Sequence, residues 1–213
     1  MKKLTGILSL SILLIACGSD EPKEQELDNT DVEKNPLGAL MKMGEKMAEN
    51  AEKMEKNMQE KKDAKAIHYD ELIKYLPESI DGYKVESEPQ GASMDMTGMS
   101  YSSAEVRFTN DENNRISIAL LDYNAAYSMY SMATAMWASG LKIDTSEEFG
   151  QSISLGDQIG GWESIQKKSG DASIILGIND RFLLTIEGDN QKDTKFLKEI
   201  AKSMDLEGLA GLE

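Results

Sequence analysis

Residues 101–123 read YSSAEVRFTNDENNRISIALLDY. Ala104, Val106 and Phe108 alternate with polar residues, and so do Ile116, Ile118 and Leu120. A period of two puts each apolar set on one face of a half-buried strand. Between them, Asn110-Asp111-Glu112-Asn113-Asn114 is rich in short polar side chains that bond their own backbone in turns. The stretch predicts a β-hairpin of strands 101–109 and 115–123, and with it an antiparallel sheet.

Working outward, residues 70–76 read as a short helix stopped by Pro77, and 83–88 as a strand after the turn Asp81-Gly82. Residues 89–99, PQGASMDMTGM, read as a loop. Beyond the hairpin, Ala126, Met129, Tyr130, Ala133, Met136 and Trp137 have helical spacing, which predicts a helix over 125–139 with Gly140 as its stop. Strands follow at 152–155, 162–168, 172–178 and 182–187, joined by Gly160-Gly161, Ser169-Gly170-Asp171 and Asn179-Asp180-Arg181. A last helix spans 191–205, with Asn190 as its N-cap and Phe196, Leu197, Ile200, Ala201 and Met204 on its apolar face. Residues 208–213 read as a frayed tail.

Upstream, residues 36–66 are dominated by strong helix formers. Leu40, Met43, Met47, Ala51, Met54 and Met58 fall on one helical face. Three roles stay open for this helix: packing on the domain or on a second copy, presenting a pliable methionine surface to a protein partner, or holding a soft metal. Residues 17–35 are acidic, with Leu27 and Val32 as almost their only apolar side chains, and cannot offset the entropy of ordering.

The expected fold class is thus α+β, a mostly antiparallel sheet with packed helices, preceded by a long amphipathic helix. The domain spans residues 67–207. Its element order over 69–206 loosely resembles the α/β sandwich of Mog1/PsbP-like proteins, many of which are small binding or assembly factors.

The first twenty residues, MKKLTGILSLSILLIACGSD, set the location. Lys2 and Lys3 precede an apolar run from Leu4 to Ala16, too short to span a ~30 Å hydrocarbon core at ~1.5 Å per residue. The run ends in Leu14-Ile15-Ala16-Cys17, which resembles the lipobox of bacterial lipoproteins. That resemblance implies a signal peptide over residues 1–16 and acyl chains such as palmitate on Cys17, the single cysteine of the chain. Gly18 stands where an Asp would imply inner-membrane retention, so the resemblance points to the outer membrane. Ser19, Asp20 and Glu21 resemble the export tag of surface lipoproteins of Bacteroidetes. The expected place is the cell envelope, on the periplasmic face or the cell surface.

The chain of 213 residues carries a formal charge of −15, which disfavours nucleic acid and anionic membrane surfaces as partners. One histidine, His68, and one cysteine leave little for nucleophilic catalysis, and no phosphate loop, zinc-protease or nucleophile-elbow motif occurs. The acidic stretches 110–114 and 189–193 lack the calcium-loop register and suit turns and caps. What stands out is thirteen methionines. Met94, Met96 and Met99 resemble the methionine clusters of copper-handling proteins, so Cu(I) is a candidate ligand. Tyr123 and Tyr127 are candidates for a ligand rim where the hairpin meets the next helix. The expected function is a lipid-anchored, non-enzymatic binding or assembly module for a protein or small ligand, with no cofactor. The alternative is Cu(I) or Ag(I) binding through methionine clusters.

Overall fold

The computed structural model describes residues 65–96, 99–123 and 140–212, together with Lys56, Thr134 and Trp137. Helix α1 spans Tyr69–Ile73. Strands follow as β1 (Lys84–Met96), β2 (Met99–Thr109), β3 (Arg115–Asp122), β4 (Lys142–Asp144), β5 (Glu148–Gly156), β6 (Ile159–Gln166), β7 (Ala172–Ile178) and β8 (Phe182–Gly188). Helices α2 (Lys195–Ser203) and α3 (Leu206–Ala210) close the chain.

The strands form one antiparallel sheet of eight, ordered β1-β2-β3-β8-β7-β6-β5-β4. Two meanders make it. The first ends at β3, in the interior of the sheet. The chain then passes to the far edge at β4 and returns strand by strand until β8 pairs with β3. The expected hairpin is β2 and β3 of the first meander: Phe108 pairs with Ile116, Val106 with Ile118 and Ala104 with Leu120. Asn110 Oδ1 accepts the backbone N–H groups of Glu112 and Asn114, so turn chemistry uses that carboxamide.

Alternation assigns one face to the core. Ala104, Val106, Phe108, Ile116, Ile118 and Leu120 continue across register into Ile186, Leu184, Ile174 and Leu176, all essentially buried. Each of the valine, leucine, isoleucine and phenylalanine side chains among them contributes about 1.5–3 kcal/mol on burial. Leu72 of α1, Leu197 and Ile200 of α2, and Leu206 and Leu209 of α3 cover this face and join the same cluster. The opposite face is smaller and more polar, with Ser117, Ala119, Ser164, Ser173 and Thr185, together with the buried Trp162 and Leu183. There Gly150 admits the indole: a Cβ at that position would stand 2.5 Å from Trp162 Cζ2.

Three expectations change. Residues 89–96 belong to β1 rather than to a loop, and pair with β2 up to Met96 opposite Met99. Both faces of this strand are exposed, so no alternation betrays it. The last helix is two helices, broken at Met204, whose backbone is extended (φ −84°, ψ 149°). Residues 208–212 are not frayed: Leu209 is fully buried, and Asp205 caps α3 by accepting from Gly208 N–H. Of the expected helix over 36–66, residues 36–55 and 57–64 lie outside the described residues, and Lys65 and Ala66 are non-helical. Most of the expected helix over 125–139 also lies outside them, as do Cys17 and the segment 1–35.

Candidate functional site

The β1–β2 ribbon gathers most of the residues singled out above. Ser100, Ser102 and Ala104 face the core, so Tyr101 and Ser103 face the other way. Met94 pairs with Tyr101 and Met96 with Met99, which places positions 94, 96, 99 and 101 on one face of the ribbon tip. Tyr123 follows β3 in phase with Leu121 and falls on the same face. Burial pushes its phenol above the ordinary tyrosine range, and Tyr101 adds to the shift. Tyr127 lies outside the described residues. Met94 and Met96 are 44% and 59% exposed, and with Val85 they are the exposed large hydrophobics among the described residues.

The outer edge of β1 has two unlike halves. From Lys84 to Pro89 it carries Lys84, Glu86, Glu88, a proline without a donor and two register shifts. These are the devices that keep a sheet edge from templating another strand. From Gln90 to Met96 the register is regular, and the single charge is Asp95, whose carboxylate bonds Lys65 Nζ at 2.6 Å on the core side. Gly91 lets the Tyr69 ring lie over the strand there: a Cβ would meet Tyr69 Cδ2 at 2.5 Å. The other edge of the sheet, β4, is only three residues long.

Two buried polar clusters lie on the core face. Arg181 donates to both carboxylate oxygens of Asp122, from Nε at 3.0 Å and Nη2 at 2.8 Å, with side chains 3% and 0% exposed. Asp122 also accepts from Ile67 N–H at 2.9 Å, and Arg181 Nη1 donates to the Leu212 carbonyl at 3.1 Å. Ser102 donates to the Ile67 carbonyl and Ser100 accepts from Ala66 N–H. The pair therefore fastens both the lead-in segment and the C-terminal residues to the sheet. In the second cluster, Glu163 accepts from Gln151 Nε2 at 2.5 Å, from the Thr194 hydroxyl and from Lys198 Nζ at 2.7 Å. Both clusters carried a signal. Asp122 continues the core parity of Ile116, Ile118 and Leu120, and Glu163 that of Gly161 and Ile165.

Burial alone would raise the Glu163 carboxyl. Hydrogen bonds from Lys198, Thr194 and Gln151, with the Lys198 charge, hold it below the usual carboxylate range. A depressed folded-state pKa stabilises above the unfolded value of about 4.3 and is lost as pH falls through the lower folded value. Denaturant midpoints measured from about pH 6 downward will therefore drop below about pH 5, and Glu163→Gln will flatten that drop. An identical profile in the variant would assign the acid sensitivity to other carboxylates.

Each buried carboxylate is spent on a cation and on hydroxyl, amide or backbone donors. His68 sits at the N-cap of α1, where Nδ1 accepts from Asp70 N–H at 3.4 Å. A depression of about 330 Å³ is lined by Glu86, Arg107, Arg115, Ser117, Glu187 and Asp189, in which acids outnumber the arginines. Arg107 already pairs with Glu105 at 2.5 Å. A second, of about 260 Å³, lies where α2 meets α3, walled by Leu155, Ile159, Met204 and Leu206. Among the described residues no three His, Cys, Asp or Glu side chains gather to hold a metal ion, and no helix is long and apolar enough to cross a membrane. Comparison with known proteins returns nothing similar: no family model matches the chain, and no curated protein or solved structure matches it either.

Proposed function

We propose that the chain is a lipid-anchored cell-envelope protein of non-enzymatic type, whose domain binds an extended segment of a partner protein along the outer edge of β1. The observation that carries this reading is the half of that edge from Gln90 to Met96, of regular register and with a single charge among the described residues, beside a guarded half on the same strand. An exposed edge offers a row of unpaired N–H and C=O groups, and a partner strand supplies their complements. Short edges, bulges, charge and proline protect a sheet from such pairing. Here those devices stop at Pro89, and the exposed tip beyond supplies apolar contacts through pliable methionines. A lipid on Cys17 would hold this edge near envelope partners, and the acidic segment 17–35 would act as the leash.

A photo-crosslinking residue placed at Gln90 or Ala92 in the full chain, expressed in its own envelope, tests the edge. Adducts form at those positions and not at Lys202 on α2. Ala92→Lys, which adds an edge charge, abolishes the adduct at Gln90. An adduct of twice the chain's mass would show that the added strand comes from a second copy. Failure to form adducts at the edge, or equal yield at Lys202, overturns the reading.

A further inference from the structure

Taking the outer edge of β1 as the binding surface, we propose that the strand added there is β1 of a second copy. The two chains join antiparallel through Gln90–Met96, about a two-fold axis at Ser93. Such a pairing is fixed by its centre, because positions equally far before and after it face each other. Ser93 is the midpoint of the stretch of regular register. Centred there, Pro89, which has no N–H to give, falls opposite position 97, past the end of β1. The ladder then starts and stops at the same features on both copies, and Lys84, Glu86 and Glu88 stay outside it. A centre one residue earlier draws Pro89 and Glu88 into the ladder. A centre one residue later drops Gln90 and Gly91 from it.

The side chains suit this register. Directly paired residues share a face. Ala92 meets the partner's Met94 and Gln90 meets the partner's Met96, so each exposed methionine of one copy lies beside a smaller or unbranched side chain of the other. On the core face Gly91 meets the partner's Asp95. That carboxylate is the single charge of the stretch, and Lys65 of its own chain bonds it at 2.6 Å. The two copies of Asp95 therefore never stand opposite each other, and chains of formal charge −15 meet where the local charge is balanced. A ladder this short is an interface of the weak, transient class. Two copies held on one membrane by a lipid on Cys17, as proposed above, meet at a raised effective concentration, which turns weak pairing into occupancy.

Ser93→Cys in the full chain, expressed in its own envelope, tests the axis. Directly paired antiparallel Cα atoms lie about 4.5–5.5 Å apart, within disulfide reach, whereas position 92 meets its own copy on the diagonal at about 7–8 Å. Diamide, which is reduced as two thiols become one disulfide, is the oxidant. Ser93→Cys gives at least about tenfold more reducible dimer than Ala92→Cys, because the diagonal pair cannot be bridged without backbone movement. The unsubstituted chain, whose one cysteine is Cys17, is the blank. Equal dimer yield at 92 and 93, or none from a Ser93→Cys chain of unchanged melting temperature, overturns the two-fold pairing. Ser93 Oγ accepts from Tyr69 N–H, so a second readout guards against a disturbed fold. The photo-crosslinker at Gln90 in the otherwise unsubstituted chain gives an adduct of twice the chain's mass. Adducts of other masses alone overturn the second copy and leave the edge as a site for a foreign strand, whereas the absence of edge adducts overturns both.

Discussion

Replacing Asp122 by leucine is expected to lower folding stability by about 3–5 kcal/mol, a fall of roughly 6–20 °C in melting temperature for a domain of this size. The substitution leaves the Arg181 guanidinium, 3% exposed, without its carboxylate inside the sheet–helix interface. It also takes the acceptor from Ile67 N–H. An unsatisfied buried donor costs about 1–3 kcal/mol by itself. Arg181→Met is expected to be comparably harmful, because it strands the carboxylate and frees the Leu212 carbonyl. The double variant should recover much of the loss, since desolvating two charges offsets most of what their attraction returns. Thermal melts of the two single variants and the double close the cycle. Additive losses would mean that each residue acts through its backbone partners rather than through the pair.

What could be read from the sequence follows burial. The hairpin 101–123 was legible because one face of each strand is buried, so apolar parity is enforced residue by residue. Strands β7 and β8 were legible for the same reason, helped by Asn179 and Asp180, both at φ 49°, in the turn between them. The far half of β1 was not. Its residues stand in water on both faces, and Gly91 and Ser93 serve the Tyr69 contacts rather than a core. Strand β4 is Lys-Ile-Asp, too short for any period to show. Helix α3 was hidden by Gly208 and Gly211, although Leu206 and Leu209 already stood at helical spacing.

The candidate site was half legible. The methionines were visible as an oddity of composition, but a loop reading gave them no shared direction. Extending β1 through Met96 makes direction a matter of parity and register. Thr194 shows the reverse case, a residue whose local role was taken over by the fold. It precedes α2 where an N-cap belongs, yet its side chain makes no cap bond, because the hydroxyl goes to Glu163. Asp193 serves the helix start instead, accepting from Lys195 N–H at 2.9 Å.

Cys17→Ser, which tests the proposed lipid anchor, is the second change with a large expected effect, and on that proposal it acts on location alone. The protein is expected to leave the membrane fraction almost completely and to lose incorporation of labelled palmitate, with the melting temperature of the domain unchanged. The last point follows from the fold. Both ends of the domain, at Ile67 and Leu212, are fastened to the sheet by its own residues, none of which belongs to the leash. The first point follows from acyl chemistry. Each buried methylene is worth about 0.8 kcal/mol, one chain alone binds only marginally, and two or three make attachment stable. On the proposed anchor, removing the cysteine removes every chain at once. A variant that stays in the membrane pellet after carbonate washing would mean that the apolar run 4–16 is itself retained as the anchor. At ~1.5 Å per residue, however, that run reaches only about 20 Å into a core of about 30 Å. Gly18→Asp separates address from anchor. On the same proposal it is expected to keep the lipid while shifting the protein toward the inner membrane, because only the residue after the proposed lipid-bearing cysteine changes.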